Sequence, residues 1–240
     1  MVGSRSALVF FQKQQRASEW TTFFTGIKQY VNKNAKKSQL NIYSCGYYDK
    51  NPLEYALNHL TDTEENIQIL YIGGRGDGKR VADASIKKIS EMIKSKGRNI
   101  KGLIVSSCLA ASKDTLSEST PWEIDGTNFD IVNGPNWVIS YKNSVDWFQL
   151  VLLETAITKE FAEGYINEGK LNSKQDIITC FHNTLFPFDL NIPFANGDDV
   201  SSKTLGESIR FWVRPQGSSH PVNVTKELLT GLMTEYWAKS

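Results

Sequence analysis

Cysteine and histidine are scarce in this chain, with three of each in 240 residues, and their placement excludes whole classes of chemistry. Cys45, Cys108 and Cys180 are odd in number, widely separated and never form a C-x-x-C pair, which argues against a disulfide framework and against a thiolate zinc site. They read as reduced thiols, and Asn223-Val224-Thr225, which spells a glycosylation acceptor, reads as a chance match. Long apolar runs are missing as well. Residues 1–12 offer Ala7-Leu8-Val9-Phe10-Phe11, too short for a secretory core, and no later run approaches the roughly 18 residues a spanning helix needs. The expectation is a cytoplasmic protein with no membrane partner. Internal repeats and low-complexity segments are also lacking.

What is present suits a globular chain. Hydrophobic residues make up 40% and charged residues 22%, and the length fits one α/β domain with an appended subdomain. The net charge is +1, yet residues 1–101 carry 17 Lys/Arg against 9 Asp/Glu while residues 102–240 carry 10 against 17. Nucleic-acid binding would want the basic residues on one face with aromatic partners. Lys33, Lys36, Lys37, Lys87, Lys88, Lys94 and Lys96 instead fall on polar faces of expected helices, so they read as solvated and nucleic acid is not an expected partner.

Apolar runs alternate with helical periodicity along the chain. Residues 6–12 read as a buried strand, and Ser18 then caps a helix whose Trp20, Phe23, Phe24, Ile27, Tyr30 and Val31 share one face. Residues 40–43 form a second strand, Pro52 opens a short helix through Leu53, Ala56, Leu57 and Leu60, and residues 67–72 form a third strand. Ala82, Ile86, Ile89 and Ile93 mark a helix ended by Gly97; strands at 101–105 and 137–141 follow. Ser144 is expected to cap a long helix carrying Val145, Phe148, Val151, Leu152, Ala156, Ile157 and Phe161, with Asp146 stabilising its amino end. Beyond residue 170 the pattern weakens to a helix near 173–185, a Pro/Gly/Asp-rich stretch at 187–199, a strand at 209–213 and a last amphipathic helix with Leu228, Leu229, Leu232, Met233 and Tyr236. The connection at 109–136 is long and acidic, a kind that often serves function. Trp122 within it is a candidate partner contact, while the other tryptophans default to the core.

Two turns concentrate the chemistry. Gly73-Gly74-Arg75-Gly76-Asp77-Gly78 closes the third strand and Ser106-Ser107-Cys108 the fourth. If these strands are parallel neighbours, Arg75 and Cys108 meet at the carboxyl edge of the sheet, where open α/β folds keep their ligand sites.

Those turns, with Trp137-Val138-Ile139-Ser140-Tyr141 and the Val145-Asp146-Trp147 that follows, resemble the caspase-like fold cysteine peptidase superfamily, and in wording its bacterial CHAT-like branch, over residues 6–164. The resemblance implies an α/β fold, a caspase-like three-layer sandwich whose central, mainly parallel sheet has the order 2-1-3-4-5 of the expected strands and is flanked by helices. Residues 1–170 would be that domain, and 171–240 a C-terminal extension packed on it. The family's third strand ends in a His-Gly turn supplying a general base, and its fourth in the nucleophilic cysteine. Here Arg75 stands at the histidine position, and Ser140 where the family often has Gly.

A guanidinium, with a pKa above about 12, cannot take up and return a proton at working pH. Arg75 can favour a Cys108 thiolate, which attacks without a base, but it cannot protonate an amine leaving group, so peptide hydrolysis suffers. Of the histidines, His59 precedes the third strand, His182 shares a helix with Cys180, and His220 lies in the polar loop 216–221 as a candidate substitute base. The expectation is a degenerate peptidase homologue that binds a peptide, a protein partner or an anionic ligand through Gly74, Gly76, Asp77, Gly78, Ser106, Ser107 and Tyr141. Cys108, Arg75 and His220 hold the catalytic positions, and no metal or cofactor is expected. Two alternatives stand beside it. One is an active cysteine endopeptidase with Cys108 as nucleophile and a non-standard base; the other is a nucleotide- or phosphate-binding signalling domain using the Gly73–Gly78 turn as an anion cradle with Lys79 and Arg80.

Overall fold

A computed structural model describes residues 6–12, 17–35, 38–46, 50–96, 99–111, 134–169, 171–194, 203–215, 218 and 221–239, with side chains described except at 6–12, 17–21, 50, 96, 168 and 233–239. The acidic segment 112–133 with Trp122 lies outside the described residues. In chain order the elements are β1 (Ser6–Gln12), α1 (Ala17–Asn34), β2 (Leu40–Gly46), α2 (Lys50–Thr61), β3 (Ile67–Gly73), β4 (Arg80–Val81), β5 (Ala84–Ser85), α3 (Ile86–Lys96), β6 (Ile100–Ser106) and β7 (Trp137–Tyr141). There follow α4 (Trp147–Glu168), α5 (Lys174–Leu185), α6 (Leu205–Ser208), β8 (Ile209–Val213), β9 (Val222–Asn223) and α7 (Thr225–Lys239).

Strand alternation decides how the layers stack. Successive side chains of a strand point to opposite faces, so Ile69 and Tyr71 of β3 join one core while Leu70 and Ile72 join the other. In β6, Ile104 takes the first face and Leu103 and Val105 the second; in β7, Trp137, Ile139 and Tyr141 take the first and Val138 the second. Strands buried on both faces read as unbroken apolar runs, and all of β3 and β7 is buried. The first face is covered by Phe24 and Ile27 of α1, Leu150, Val151, Leu153, Ile157 and Phe161 of α4, Phe181 of α5 and Leu228 of α7. The second is covered by Leu53 and Leu57 of α2 and Ile86, Ile89 and Ile93 of α3. Each such side chain contributes about 1.5–3 kcal/mol by leaving water.

The result is an α/β sandwich around a seven-stranded sheet ordered β2-β1-β3-β6-β7-β8-β9. β2, β1, β3, β6 and β7 are parallel, while β8 and β9 add antiparallel to the edge, so the sheet is mixed. Residues beyond 170 therefore extend the same sheet, and Ile177, Phe181, Phe211 and Leu228 enter the same core as Tyr71 and Trp137. Gly102 sits opposite Trp137 in register, and a Cβ there would stand 2.1 Å from the indole Cζ2. That indole packs on Phe161 at 4.2 Å between ring centroids and donates Nε1–H to Tyr165 Oη at 3.1 Å.

Several boundaries differ from expectation: α1 begins at Ala17, so Ser18 lies within its first turn rather than at its cap, and β2 runs on to Gly46; three others differ for a local reason. α2 begins at Lys50, ahead of Pro52, because a proline in the first turn removes an N–H that has no intrahelical acceptor. α4 is capped by Asp146 rather than Ser144: Asp146 Oδ1 accepts from Phe148 N at 3.0 Å and Gln149 N at 3.2 Å, which leaves Ser144 in the preceding turn. α3 begins at Ile86, not near Ala82, because residues 80–85 fold as the β4–β5 hairpin and Ala82 takes φ 54°.

Candidate functional site

β3 and β6 are adjacent and parallel with Gly73 opposite Ser106, so the turns that follow them leave the same edge of the sheet. The first turn is a compact hairpin. Gly74 N–H donates to Ser106 O at 3.1 Å, Ala82 N–H to Arg75 O at 2.7 Å, and Asp77 N–H to Arg80 O at 3.4 Å. Asp77 Oδ1 accepts from Lys79 N at 2.8 Å and Arg80 N at 2.7 Å. These two hydrogen bonds, with the Arg80 charge beside them, hold the Asp77 carboxyl below its usual range. Gly78 takes φ 82°, a conformation open to glycine at little cost. The N–H groups of Asp77, Lys79, Arg80 and Ala82 are thus engaged inside the hairpin and that of Gly74 by β6, which weakens the turn as an anion cradle. Arg75 is exposed, and among the described residues its guanidinium enters no hydrogen bond or ion pair.

The second turn lies directly against the first. A Cβ on Gly76 would stand 2.2 Å from both Cys108 O and Ser107 Oγ, so the crossing needs a residue without one. Ser107 N–H bonds back to Val105 O at 3.0 Å, Leu109 N–H reaches Asn143 O at 3.3 Å, and Ala111 N–H reaches Tyr141 O at 2.8 Å. Leu109 adopts φ 59° and Ala82 φ 54°. A non-glycine residue in that region costs on the order of 1–3 kcal/mol and persists where its surroundings hold it, commonly at functional sites. Cys108 is half-buried, with its flank on the first core and its Sγ accepting from Ser144 Oγ at 3.7 Å.

Strand order sets the spatial order of these pieces. The Arg75 hairpin follows β3, the Cys108 turn follows the neighbouring β6, and the Ser144 turn follows β7 beyond it. Past Ser144, Trp147 and Phe148 meet edge to face at 5.8 Å and are 39% and 47% exposed. Phe148 also packs edge-on against Phe23 of α1 at 6.4 Å, and Cys108 lies between the Arg75 hairpin and the Ser144 turn.

Ser106, Ser107 and Tyr141, expected to face a ligand, are instead 4%, 2% and 0% exposed. Strand alternation turns Ser106 and Tyr141 toward α4, together with Tyr71, and there they surround Glu154, also 0% exposed. Tyr71 Oη donates to Glu154 Oε2 at 2.9 Å. The hydroxyls of Ser106 and Tyr141 face the same carboxyl, but neither of them, nor Glu154 Oε1, closes a full hydrogen bond. Burial pushes the Glu154 carboxyl up to about 8 against the opposing pull of Tyr71, Ser106 and Tyr141, so it is neutral at pH 7. Burial and the adjacent carboxyl raise both phenols well above their usual value. Neither Glu154 nor Ser144 stands out as a site residue in the sequence. The signal for Glu154 is a lone carboxyl at a core-spaced position between Val151 and Ile157.

The histidines do not converge on Cys108. His59 is exposed near the end of α2, on the opposite face of the sheet from α4. His182 stacks on Phe186 at 6.2 Å between ring centroids. Its neighbour Asn183 donates to Glu160 Oε1, a point roughly 20 Å along α4 from Asp146 at the helical rise. His220 lies outside the described residues. Among the described residues no imidazole bonds to Cys108, no group of three or more His, Cys, Asp or Glu could hold a metal ion, and no helix is long and apolar enough to cross a membrane.

No family model and no curated protein matches the sequence. Solved structures do resemble it. The chain is similar to iotapain, a secreted C11 cysteine protease from Bacteroides thetaiotaomicron, with 11% identity and a TM-score of 0.52 over 89% of this chain and 67% of that one. It is also similar to caspase-1 from Spodoptera frugiperda, with 9% identity and a TM-score of 0.49 over 88% of this chain and 86% of that one. Likeness at such identity is one of fold: the chain has a broadly caspase-like fold.

Proposed function

We propose that this chain is a peptide-binding homologue of the caspase-like peptidases, nearest the CHAT-like branch, whose former catalytic cleft holds a partner's acidic segment instead of cleaving it. The observation that carries this reading is Arg75. By the resemblance of its turn it takes the position of the family's general base, it is exposed, and among the described residues its guanidinium has no hydrogen bond or ion pair. A guanidinium cannot exchange a proton at neutral pH but binds a carboxylate through two parallel N–H groups. Trp147 and Phe148, at the start of the helix that follows the Ser144 turn, offer exposed apolar surface, and aromatic and arginine anchors together are the residues that dominate recognition surfaces. The engaged N–H groups of the hairpin favour this reading over a phosphate-binding one. Three free thiols fit a reducing compartment, in line with a cytoplasmic setting.

The test is a peptide array carrying acidic, neutral and basic sequences, probed with labelled protein. Acidic peptides should bind, Arg75→Ala should abolish that binding, and Cys108→Ala should leave it intact. Incubation with the same peptides should show no cleavage, and Arg75→His should introduce weak cleavage that requires Cys108. Cys108-dependent cleavage by the unmodified chain would overturn the reading in favour of an active endopeptidase, and His220→Ala would then test the base.

A further inference from the structure

Glu154 sits fully buried on the sheet-facing side of α4. Tyr71 lies two residues before the end of β3, ahead of the Arg75 hairpin. Ser106 is the last residue of β6, two before Cys108. Tyr141 ends β7, three residues before the Ser144 that touches Cys108, and its carbonyl accepts from Ala111 beyond the cysteine. All three side chains point to the α4 face and converge on one carboxyl. We propose that Glu154 is a positioning residue, a buried tie that fixes the ends of β3, β6 and β7 against α4 and so sets the three turns around Cys108, and that its ionisation loosens them together.

A charged carboxylate in an apolar core costs several kcal/mol unless it is paired or fully hydrogen-bonded. Among the described residues the groups acting on Glu154 include no cation: Tyr71 comes from β3, Ser106 from β6 and Tyr141 from β7. α1 contributes Phe24, packed edge-on to the Tyr71 ring at 5.6 Å, and β1 contains no ionisable residue in its sequence. α5 meets α4 further along, at Glu160. While neutral, the carboxyl holds Tyr71 and shares its pocket with the two other hydroxyls. Once charged, it has a full hydrogen bond from the Tyr71 phenol and only the incomplete pull of the Ser106 and Tyr141 hydroxyls, so the strand ends that carry those two must shift for the carboxylate to be fully bonded.

This inference rests on the cleft reading only in identifying the three turns as the site, and its test uses no ligand. Amide hydrogen exchange of the intact protein would be followed by mass spectrometry from about pH 6 to pH 10, corrected for the intrinsic base-catalysed rise. Segments 73–82 and 106–111 should open together, with an excess of about tenfold across a single step near pH 8, while α5 peptides show none. Glu154→Gln, which keeps the shape and cannot ionise, should retain slow exchange and lose the step. Tyr71→Phe, which removes the hydrogen bond favouring the carboxylate, should move the step to higher pH. Either variant suffices if the other fails to fold. A step that survives Glu154→Gln, one unmoved by Tyr71→Phe, or segments that open at different pH would each overturn the assignment. Loss of peptide binding with these profiles intact would count against the cleft reading alone.

Discussion

The backbone of Gly76 crosses the carbonyl of Cys108 so closely that a Cβ on the glycine would stand 2.2 Å from that oxygen. The hairpin after β3 and the turn after β6 are therefore one packed unit, and a change in either is felt by the thiol between them and Ser144.

Gly76→Ala should be destabilising by about 1–3 kcal/mol, the usual cost of forcing extra atoms into a packed site, because the opposing atom is backbone and cannot swing aside. Gly231→Ala is the control: nothing lies within 4 Å of its Cβ position in α7, and alanine there should stabilise the helix by up to about 1 kcal/mol. Urea denaturation midpoints of the two variants should move in opposite directions. Equal midpoints would show that the two turns do not pack as described.

Gly102→Ala tests the core in the same way. The new methyl would meet the Trp137 ring, which is held by Phe161, Phe181 and Tyr165 and has no free space to enter. Stability should fall by at least about 1–3 kcal/mol, with a shift in tryptophan fluorescence. An unchanged spectrum and midpoint would contradict the placement of Trp137.

Stability should depend on pH through Glu154. Its folded value, about 8, lies above the ordinary 4.5, so the native state holds a proton that the unfolded chain releases. The contribution is fully present below about pH 4.5 and is lost as pH rises toward 8, at about 1.4 kcal/mol per pH unit. The difference in unfolding free energy between the wild type and Glu154→Gln should therefore fall with rising pH across that window and level off above it. A difference independent of pH would show that Glu154 does not titrate inside the fold.

Cys108 should be modified by iodoacetamide under native conditions, whereas Cys180, 8% exposed, should be protected. Ser144→Ala removes the hydroxyl that reaches Sγ and should slow the reaction by up to about fivefold, the equivalent of one hydrogen bond of about 1 kcal/mol. Mass-spectrometric mapping of the label reads both effects. Failure of Cys108 to react would mark it as an inert core residue.

Much of this architecture was legible in local pattern. Apolar runs at 67–72, 101–105 and 137–141 become the central strands, since a strand buried on both faces has no polar side to show. The i, i+3, i+4 spacing of Phe23, Phe24, Ile27 and Val31 becomes α1. The hairpin at 80–85 was not legible, because Ala82 and Ile86 continue a helical spacing while hydrogen bonds from Ala82 to Arg75 and from Ile86 to Lys79 impose a different backbone. Nor was the choice of Asp146 over Ser144 as the α4 cap, which a shift of two residues decides.

By itself, then, the sequence determined the main strands and helices, that a cysteine and an arginine stand in turns after two of the strands, and that the first of those turns carries an arginine and no histidine. These follow from side-chain periodicity and identity, which are local properties. Only the tertiary structure decided that Gly76 lies against Cys108, that Ser144 reaches the thiol, and that Tyr71, Ser106 and Tyr141 close around Glu154. Those relationships depend on strand register and on which face each residue takes, and residues as far apart as Tyr71 and Glu154 acquire a common environment only when the sheet and α4 pack together and exclude water.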